Sequence, residues 1–355
     1  MKHYQTQKEH DRLWLQETEF APDFEQKTES IFAQCNGYMG VRAAHGLSLI
    51  DEKRGMFLSG VFHKAYENEV TELVNCPDVT WIGLEADGEK IYPQESNMET
   101  CVRKIDLVSG ELVITYQFIL KTGAKLQIDI HRFASMKNKS MFLQSLDIKI
   151  LEGNVDIIKV KTGINGQMTN SGVSHFSSIT ARVYNKQSML SRCELDDNTI
   201  NIATECQVSQ GKLQKKDFAL ERRSIYGIYI IQPNKDGKMS LEKYTYVYHN
   251  EDGIQTDDKR EGFVYARENE YDCLFKEHCE VMSDYWKRTA IHIDGISLDE
   301  EAAIRFAQYH IMGMTPWHTN KLSIAAKGLT GEGYKGHVFW DTEIFIEPSL
   351  LFTYP

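Results

Sequence analysis

The sequence lacks any paired-cysteine spacing: its seven cysteines, at 35, 76, 101, 193, 206, 273 and 279, form no CxxC and are odd in number. That argues against a closed disulfide framework or a zinc site and leaves reduced thiols as the simpler state. Proline is scarce, with seven in 355 residues, so long disordered or fibrous stretches are not expected. No run reaches the roughly 18 uncharged apolar residues that a membrane-crossing helix needs, and the opening MKHYQTQKEHDRLWLQETEF lacks the apolar core of a secretory signal. Positive charge is in deficit: 40 Lys and Arg against 51 Asp and Glu give a net charge of -11, with the basic residues scattered. A phosphate backbone is drawn to basic clusters, so neither nucleic acid nor a membrane is an expected partner, and a cytoplasmic location is expected.

The length suggests two domains, or one domain and part of another. From about residue 55 to 250 the pattern is of strands. KLQIDIHRF alternates Leu126, Ile128, Ile130 and Arg132 against Gln127, Asp129 and His131, the period of a half-buried strand. Further runs such as ELVITYQFIL, SIYGIYIIQ and KYTYVYH are rich in Val, Ile, Tyr and Phe and are broken by turn pairs at Thr122-Gly123, Glu152-Gly153 and Asp236-Gly237. No helical segment alternates with them, which favours a large antiparallel sandwich over parallel winding.

The period changes near residue 263. Tyr271, Leu274, Phe275, His278, Met282, Tyr285 and Trp286 recur at three- and four-residue steps, predicting a linker helix over about 264–288. SLDE at 297–300 resembles a capping box opening a second helical unit, with Ala303, Phe306, Ala307, His310 and Ile311 on one face. An irregular loop follows over about 318–338, and helical spacing resumes at Ile344, where Pro348 is expected to kink or shorten the helix.

The run GYKGHVFWDTEIFIEP, residues 333–348, concentrates the candidate chemistry. One reading is structural: Asp341 or Thr342 caps a helix and Trp340 anchors a core. A second makes the preceding glycines a phosphate cradle with Lys327, Lys335 and His337, but no GxxxxGK[ST] is present. A third is a sugar subsite, in which an indole face covers the C–H face of a pyranose and the adjacent carboxylate accepts two hydroxyl hydrogen bonds. Asp341 and Glu343 diverge by about 200° on a helix, so they are a poor acid/base pair for glycoside cleavage.

The run LSIAAKGLTGEGYKGHVFWDTEIF, Leu322 to Phe345, closely resembles the signature of glycoside hydrolase family 65, the inverting α-glucoside phosphorylases. SIFAQCNGYMGVRAAHG, Ser30 to Gly46, resembles that family's N-terminal NGY-G-R motif, and RGMFLSGVFHKAYENEVTELVNCPD is similar to the stretch that follows it in the kojibiose phosphorylase branch. The resemblance implies an N-terminal β super-sandwich (1–262), a helical linker (263–296) and the first helices of an (α/α)6 barrel (297–355), truncated here. It implies phosphorolysis of an α-linked glucosyl disaccharide to β-glucose 1-phosphate, with inorganic phosphate as co-substrate and no metal or organic cofactor. Trp340 and Asp341 match the pair that holds the glucosyl unit. The resemblance puts the general acid glutamate and the phosphate loops downstream of Pro355, so no catalytic residue is assigned here. The chain is accordingly expected to be an inactive N-terminal fragment of a homodimeric parent.

Other features have simpler readings. Asn36-Gly37 reads as a tight turn and Arg42 as a salt-bridging or carbonyl-binding residue. His310 reads as a satisfied core histidine, and HID at 292–294 has no third ligand nearby. Trp81, Tyr244, Tyr246 and Tyr248 either pack in the sheet or line a sugar-binding face. The alternatives are therefore a noncatalytic carbohydrate-binding or assembly domain, or a hydrolase of the same fold using water.

Overall fold

Leu126, Ile128, Ile130 and Arg132 are buried while Gln127, Asp129 and His131 on the same strand, Lys125–Ala134, are half-exposed. The alternation seats this strand in a ten-stranded antiparallel sheet that runs from Tyr4–Glu9 at one edge to Ser178–Tyr184 at the other. This computed structural model describes residues 3–49, 52–94, 97–249 and 269–353. A five-stranded sheet centred on Ile158–Asn165 and a four-stranded sheet from Gln34–Cys35 to Glu72–Cys76 complete the β structure described. The sheets share their cores: Ile114, Ile128 and Leu146 pack with Leu84, Val160 and Ile231, and Met39, Leu58 and Val74 with Ile202 and Val247. The fold is mainly β, antiparallel and layered, with few helices.

Strand Lys238–His249 lies between Met141–Glu152 and Thr199–Gln210 and is buried on both faces beyond its first residue. Its tyrosines 244, 246 and 248 are therefore packing residues and present no open sugar-binding face. Trp81 is half-buried, its indole N–H donating to Ser48 Oγ at 2.6 Å and its ring edge-on to Tyr226. All seven cysteines are free thiols.

Strands also begin far earlier than the sequence reading places them. Tyr4–Glu9 and Arg12–Glu17 form a hairpin that extends the large sheet beside Asn97–Asp106. The first of these strands, YQTQKE, has no buried residue and so carries no apolar alternation. Polar bonds fix the hairpin: Arg103, wholly buried, donates to both oxygens of Glu17 and both of Glu25, and to the Ala43 carbonyl. Burial alone would raise the Glu25 carboxyl, but His45 and Arg103 outweigh it and hold it down at about 2. Glu25 opens helix α1, Glu25–Ile31.

The predicted linker helix is α2, Tyr271–Thr289; residues 264–268 and the 262/263 boundary lie outside the described residues. So does Pro355, the residue beyond which the resemblance puts the general acid. Helix α2 buries the expected stripe except for Phe275, which is half-buried, and His278 docks it on the sandwich. The His278 Nε2–H donates to the Ser109 carbonyl at 2.6 Å while Nδ1 accepts from the Met136 amide at 3.0 Å. Both nitrogens are used as a neutral ring, and burial lowers the imidazole to about 4.

Ser297 caps helix α3, Leu298–Met314, through the capping box with Glu300. Its packed face is rotated from expectation: Ala302, Tyr309, Met312 and Gly313 are buried, whereas Ala303 and Ala307 are not. The cause is Tyr309, whose large ring carries more burial than two alanine methyls and whose hydroxyl donates to the Ala33 carbonyl. His310 Nε2 bonds the Ile31 carbonyl at 3.0 Å, as expected of a satisfied histidine.

The α3 terminus rests on the NGYMGVR segment. Asn36 Oδ1 accepts from the amides of Tyr38 and Met39, closing a turn in which Gly37 has φ +81°. The Gly37 amide donates to the Gly313 carbonyl at 2.7 Å, and a Cβ at Gly37 would lie 2.0 Å from the Thr315 oxygen. A Cβ at Gly40 would lie 2.2 Å from the Leu329 oxygen. Beyond the turn, three buried arginines satisfy three successive carbonyls: Arg103 that of Ala43, Arg132 that of Ala44 and Arg54 that of His45.

Two outcomes follow. His278 has a folded pKa depressed below the ordinary 6.5, so its contribution is fully present above pH 6.5 and is lost as pH falls toward about 4, by on the order of 2–4 kcal/mol. Histidine NMR should show His278 still neutral at pH 5; a midpoint near 6.5 contradicts the packing. Gly40→Ala should cost about 2 kcal/mol or more in urea unfolding, with hydrogen exchange at 322–330 rising before that of the sheet core; a neutral change contradicts the close approach.

Candidate functional site

The segment from Leu322 to His337 is laid across the four-stranded sheet by contacts spaced along its length. Leu322 meets Gly60, Leu329 meets Gly40, and the Thr330 carbonyl accepts from Arg42 Nη1 at 2.7 Å. Glu332 accepts from Ser171 Oγ at 2.6 Å, Lys335 Nζ stands 4.0 Å from Glu72, and His337 Nε2 bonds the Thr71 carbonyl at 2.6 Å. Arg42 is the pivot. It bonds Glu29 Oε2 at 2.7 Å, Ser30 Oγ, and the carbonyls of Gln26 and Lys53, so one guanidinium joins α1, the turn before Met56–His63 and the loop. This agrees with its reading as a salt-bridging and carbonyl-binding residue.

A cleft of about 570 Å³ opens where the loop crosses α1, lined by Arg42, Arg54, Asn75, Lys327 and Glu332 among others. Its two arginines are committed, Arg42 as above and Arg54 to Glu52, Thr80 and the His45 carbonyl. The loop glycines serve packing: a Cβ at Gly328 would lie 2.8 Å from Met314, and one at Gly336, φ +75°, 2.5 Å from Leu73. Close packing against the helix end and the sandwich thus accounts for Gly328 and Gly336 without the phosphate cradle that the sequence reading disfavoured. Tyr334 and Lys335 adopt φ +54° and +55°, a conformation costly for residues with a Cβ and one that the surrounding contacts must hold.

Past His337 the chain leaves the sandwich. Trp340 is 66% exposed and Phe345 68%, their rings 6.0 Å apart, so Trp340 is no core anchor. Asp341 is half-buried and its Oδ1 is enclosed without a hydrogen-bond donor among the described residues. Neither Asp341 nor Thr342 caps a helix: Asp341 makes no side-chain cap bond, and the buried Thr342 hydroxyl donates to the Ile324 carbonyl at 3.0 Å. That bond ties the turn back to the loop. Thr342–Ile346 forms a π-helical turn, and helix α4, Glu347–Thr353, follows. Pro348 follows this π-helical turn within one helical stretch that starts at Trp340, so the regular α-helical pattern is interrupted just before the proline, where a distortion is expected. Leu351 and Phe352 are 69% and 89% exposed.

The structure therefore places Trp340 and Asp341 side by side on an exposed ledge. Glu343 and Glu347 are exposed, and neither makes a hydrogen bond with Asp341 Oδ1. Among the described residues no group of three or more His, Cys, Asp or Glu could hold a metal ion, and no helix is long and apolar enough to cross a membrane.

The family model described as glycosyl hydrolase family 65, N-terminal domain, matches residues 15–285, and that of the family's central catalytic domain matches residues 305–355. The chain is 34% identical to the kojibiose phosphorylase of Halothermothrix orenii and 33% identical to that of Escherichia coli, over 96% of this chain and 45% of each relative. It thus spans about half the length of the curated relatives it matches. A solved structure described as a putative kojibiose phosphorylase from human microbiome superposes with a TM-score of 0.86 at 19% identity, over 99% of this chain and 48% of that one, and supports the fold. With its sandwich and the start of its helical segment both matched, the chain belongs to glycosyl hydrolase family 65.

Proposed function

We propose that Trp340 and Asp341 form one wall of the glucosyl subsite of an inverting disaccharide phosphorylase, in a polypeptide that continues this chain to the length of its relatives. The observation that carries the reading is the ledge itself: an indole open to solvent beside a carboxylate with one enclosed oxygen that meets no donor among the described residues. Covering the exposed indole with a pyranose C–H face removes apolar surface from water, and the half-buried carboxylate beside it can accept hydrogen bonds from sugar hydroxyls.

In the proposed reaction an oxygen of inorganic phosphate attacks the anomeric carbon from the face opposite the glycosidic bond. The carbon–oxygen bond to the leaving sugar breaks, a general acid protonates that oxygen, and β-glucose 1-phosphate and glucose are released. Phosphate takes the place of water, so no metal or organic cofactor is required. No acid is nominated within this chain; the reading puts it in the polypeptide that follows Pro355. The two relatives named above are kojibiose phosphorylases, which supports an α-1,2-linked disaccharide as substrate. The same reading divides the chain into a sandwich (1–262), a linker (263–296) and the start of an (α/α)6 barrel (297–355), with a cytoplasmic homodimer as the assembly.

The test is a phosphorolysis assay with kojibiose, nigerose and maltose on the extended polypeptide. Asp341→Asn should lower kcat/KM roughly 10- to 100-fold, Trp340→Ala should chiefly raise KM, and the 355 residues alone should release no glucose 1-phosphate. Undiminished turnover in Asp341→Asn, or glucose release that does not depend on phosphate, contradicts the reading.

A further inference from the structure

On the side of the four-stranded sheet where the loop is anchored, two histidines meet head to head. His63 ends strand Met56–His63, and His175 lies in the connection before Ser178–Tyr184. Their Nδ1 atoms are 3.1 Å apart, and the rings are perpendicular with centroids 5.4 Å apart. The centroid separation exceeds the nitrogen contact by little more than the two ring radii, so the Nδ1 atoms point at each other along one line. Each outer nitrogen faces a carboxylate: His63 Nε2 is 3.2 Å from Asp196 Oδ2, and His175 Nε2 is 3.1 Å from Glu72 Oε1.

Counting hydrogens fixes the charge. A carboxylate only accepts, so both Nε2 atoms carry hydrogen. Two neutral rings would then press lone pair against lone pair at 3.1 Å, and two charged rings would press N–H against N–H. The chain of bonds closes only with one hydrogen between the Nδ1 atoms, three ring N–H groups in all and one net positive charge. A metal ion does not fit that line, because two Zn–N bonds end to end need about 4 Å. His63 is the more open of the two, its side chain 15% exposed against 1% for His175. Burial, opposed by Glu72 and reinforced by His63, lowers the His175 imidazole below the usual histidine range.

We infer that His63 and His175 form a proton-held latch for the loop Gly333–His337, closed only while the pair carries a single extra proton. The link to the loop is Glu72, which accepts from His175 and also faces Lys335, the residue held at φ +55°. The same strand end supplies Thr71 to His337 and Leu73 to Gly336, and Phe62 stands edge-on to the His337 ring. Loss of the proton leaves opposed lone pairs, or a turned His175 tautomer whose bare Nε2 repels Glu72. A second proton sets two N–H groups against each other. Either change displaces Glu72 and loosens Lys335. The charged or titratable groups around the pair are Asp196 from the turn after Ser188–Glu194, Glu69 from the connection before Glu72–Cys76, Glu72 at the start of that strand, Arg223, which bonds Ser174 Oγ and the Phe176 carbonyl on either side of His175, and Lys335 and His337 from the loop. The latch stands independently of the sugar reading.

The test uses the 355-residue chain with nitrogen-labelled histidine, followed through the range of about pH 5 to 8 in which histidines change charge. Ring spectra should show both Nε2 atoms protonated and three N–H groups shared by the pair. Hydrogen-exchange protection at Gly333–His337, corrected for intrinsic rates, should rise to a maximum where that species is most abundant and fall several-fold on either side. Asp196→Asn alters an exposed carboxylate and should leave the fold intact while moving the alkaline fall to lower pH by about one unit. His63→Phe should abolish the maximum. A flat protection profile, a profile unmoved in Asp196→Asn, or a bare His175 Nε2 at the maximum overturns the inference.

Discussion

Two peptide oxygens occupy the space that side chains at Gly37 and Gly40 would need, and the placement of the candidate site depends on this approach. The Thr315 oxygen fixes where helix α3 ends, and the Leu329 oxygen fixes where the loop crosses the sheet. Hard-sphere contact is the steepest force available in a protein, so a backbone seated on a backbone sets position more tightly than exposed charge pairs do. Arg42 then prevents the loop from lifting, because its guanidinium bonds to Thr330 and is held from behind by Glu29. The sandwich thus acts as a template: it determines the path of a loop that leads to Trp340 and Asp341, neither of which enters the template's core.

The template itself contains an unusual amount of buried charge. Arg103, Arg132 and Arg54 reach three successive carbonyls in the irregular stretch after Val41. An unpaired buried carbonyl costs about as much as a lost hydrogen bond, which explains why cations stand inside an acidic protein. Two of the three are neutralised, Arg103 by Glu17 and Glu25 and Arg54 by Glu52 and Asp78. Arg132 has no such acid among the described residues and burial lowers its pKa to about 10, so it is the least compensated charge of the set.

Much of the architecture could be read from local pattern, because burial of one face repeats with the period of the element. KLQIDIHRF shows it for a strand, Tyr271 to Trp286 for a helix, and SLDE for a helix start. What escaped has a common cause. The strand YQTQKE has no buried residue, so nothing in it alternates; its hairpin is recruited to the sheet by Arg103, distant in sequence. The α3 face turned because one tyrosine outweighs two alanines. The reading of Asp341 or Thr342 as a helix cap failed because the chain is already helical at Trp340, and the Thr342 hydroxyl bonds the Ile324 carbonyl instead. At the candidate site, Trp340 and Asp341 were identifiable from residue type and family resemblance, whereas their exposure and the orphaned Oδ1 were not. The His63–His175 contact had no sequence signal, since the partners lie 112 residues apart.

The central claim is that the sandwich-guided loop delivers the indole at 340 and the carboxylate at 341 to a glucose unit. The most direct measurement is a crystal structure of the extended polypeptide with kojibiose or glucose bound. The account predicts a pyranose lying over the Trp340 ring with two hydroxyls donating to the Asp341 carboxylate at normal hydrogen-bond distance. Sugar bound elsewhere, with Trp340 and Asp341 free of it or sealed under protein, would contradict it.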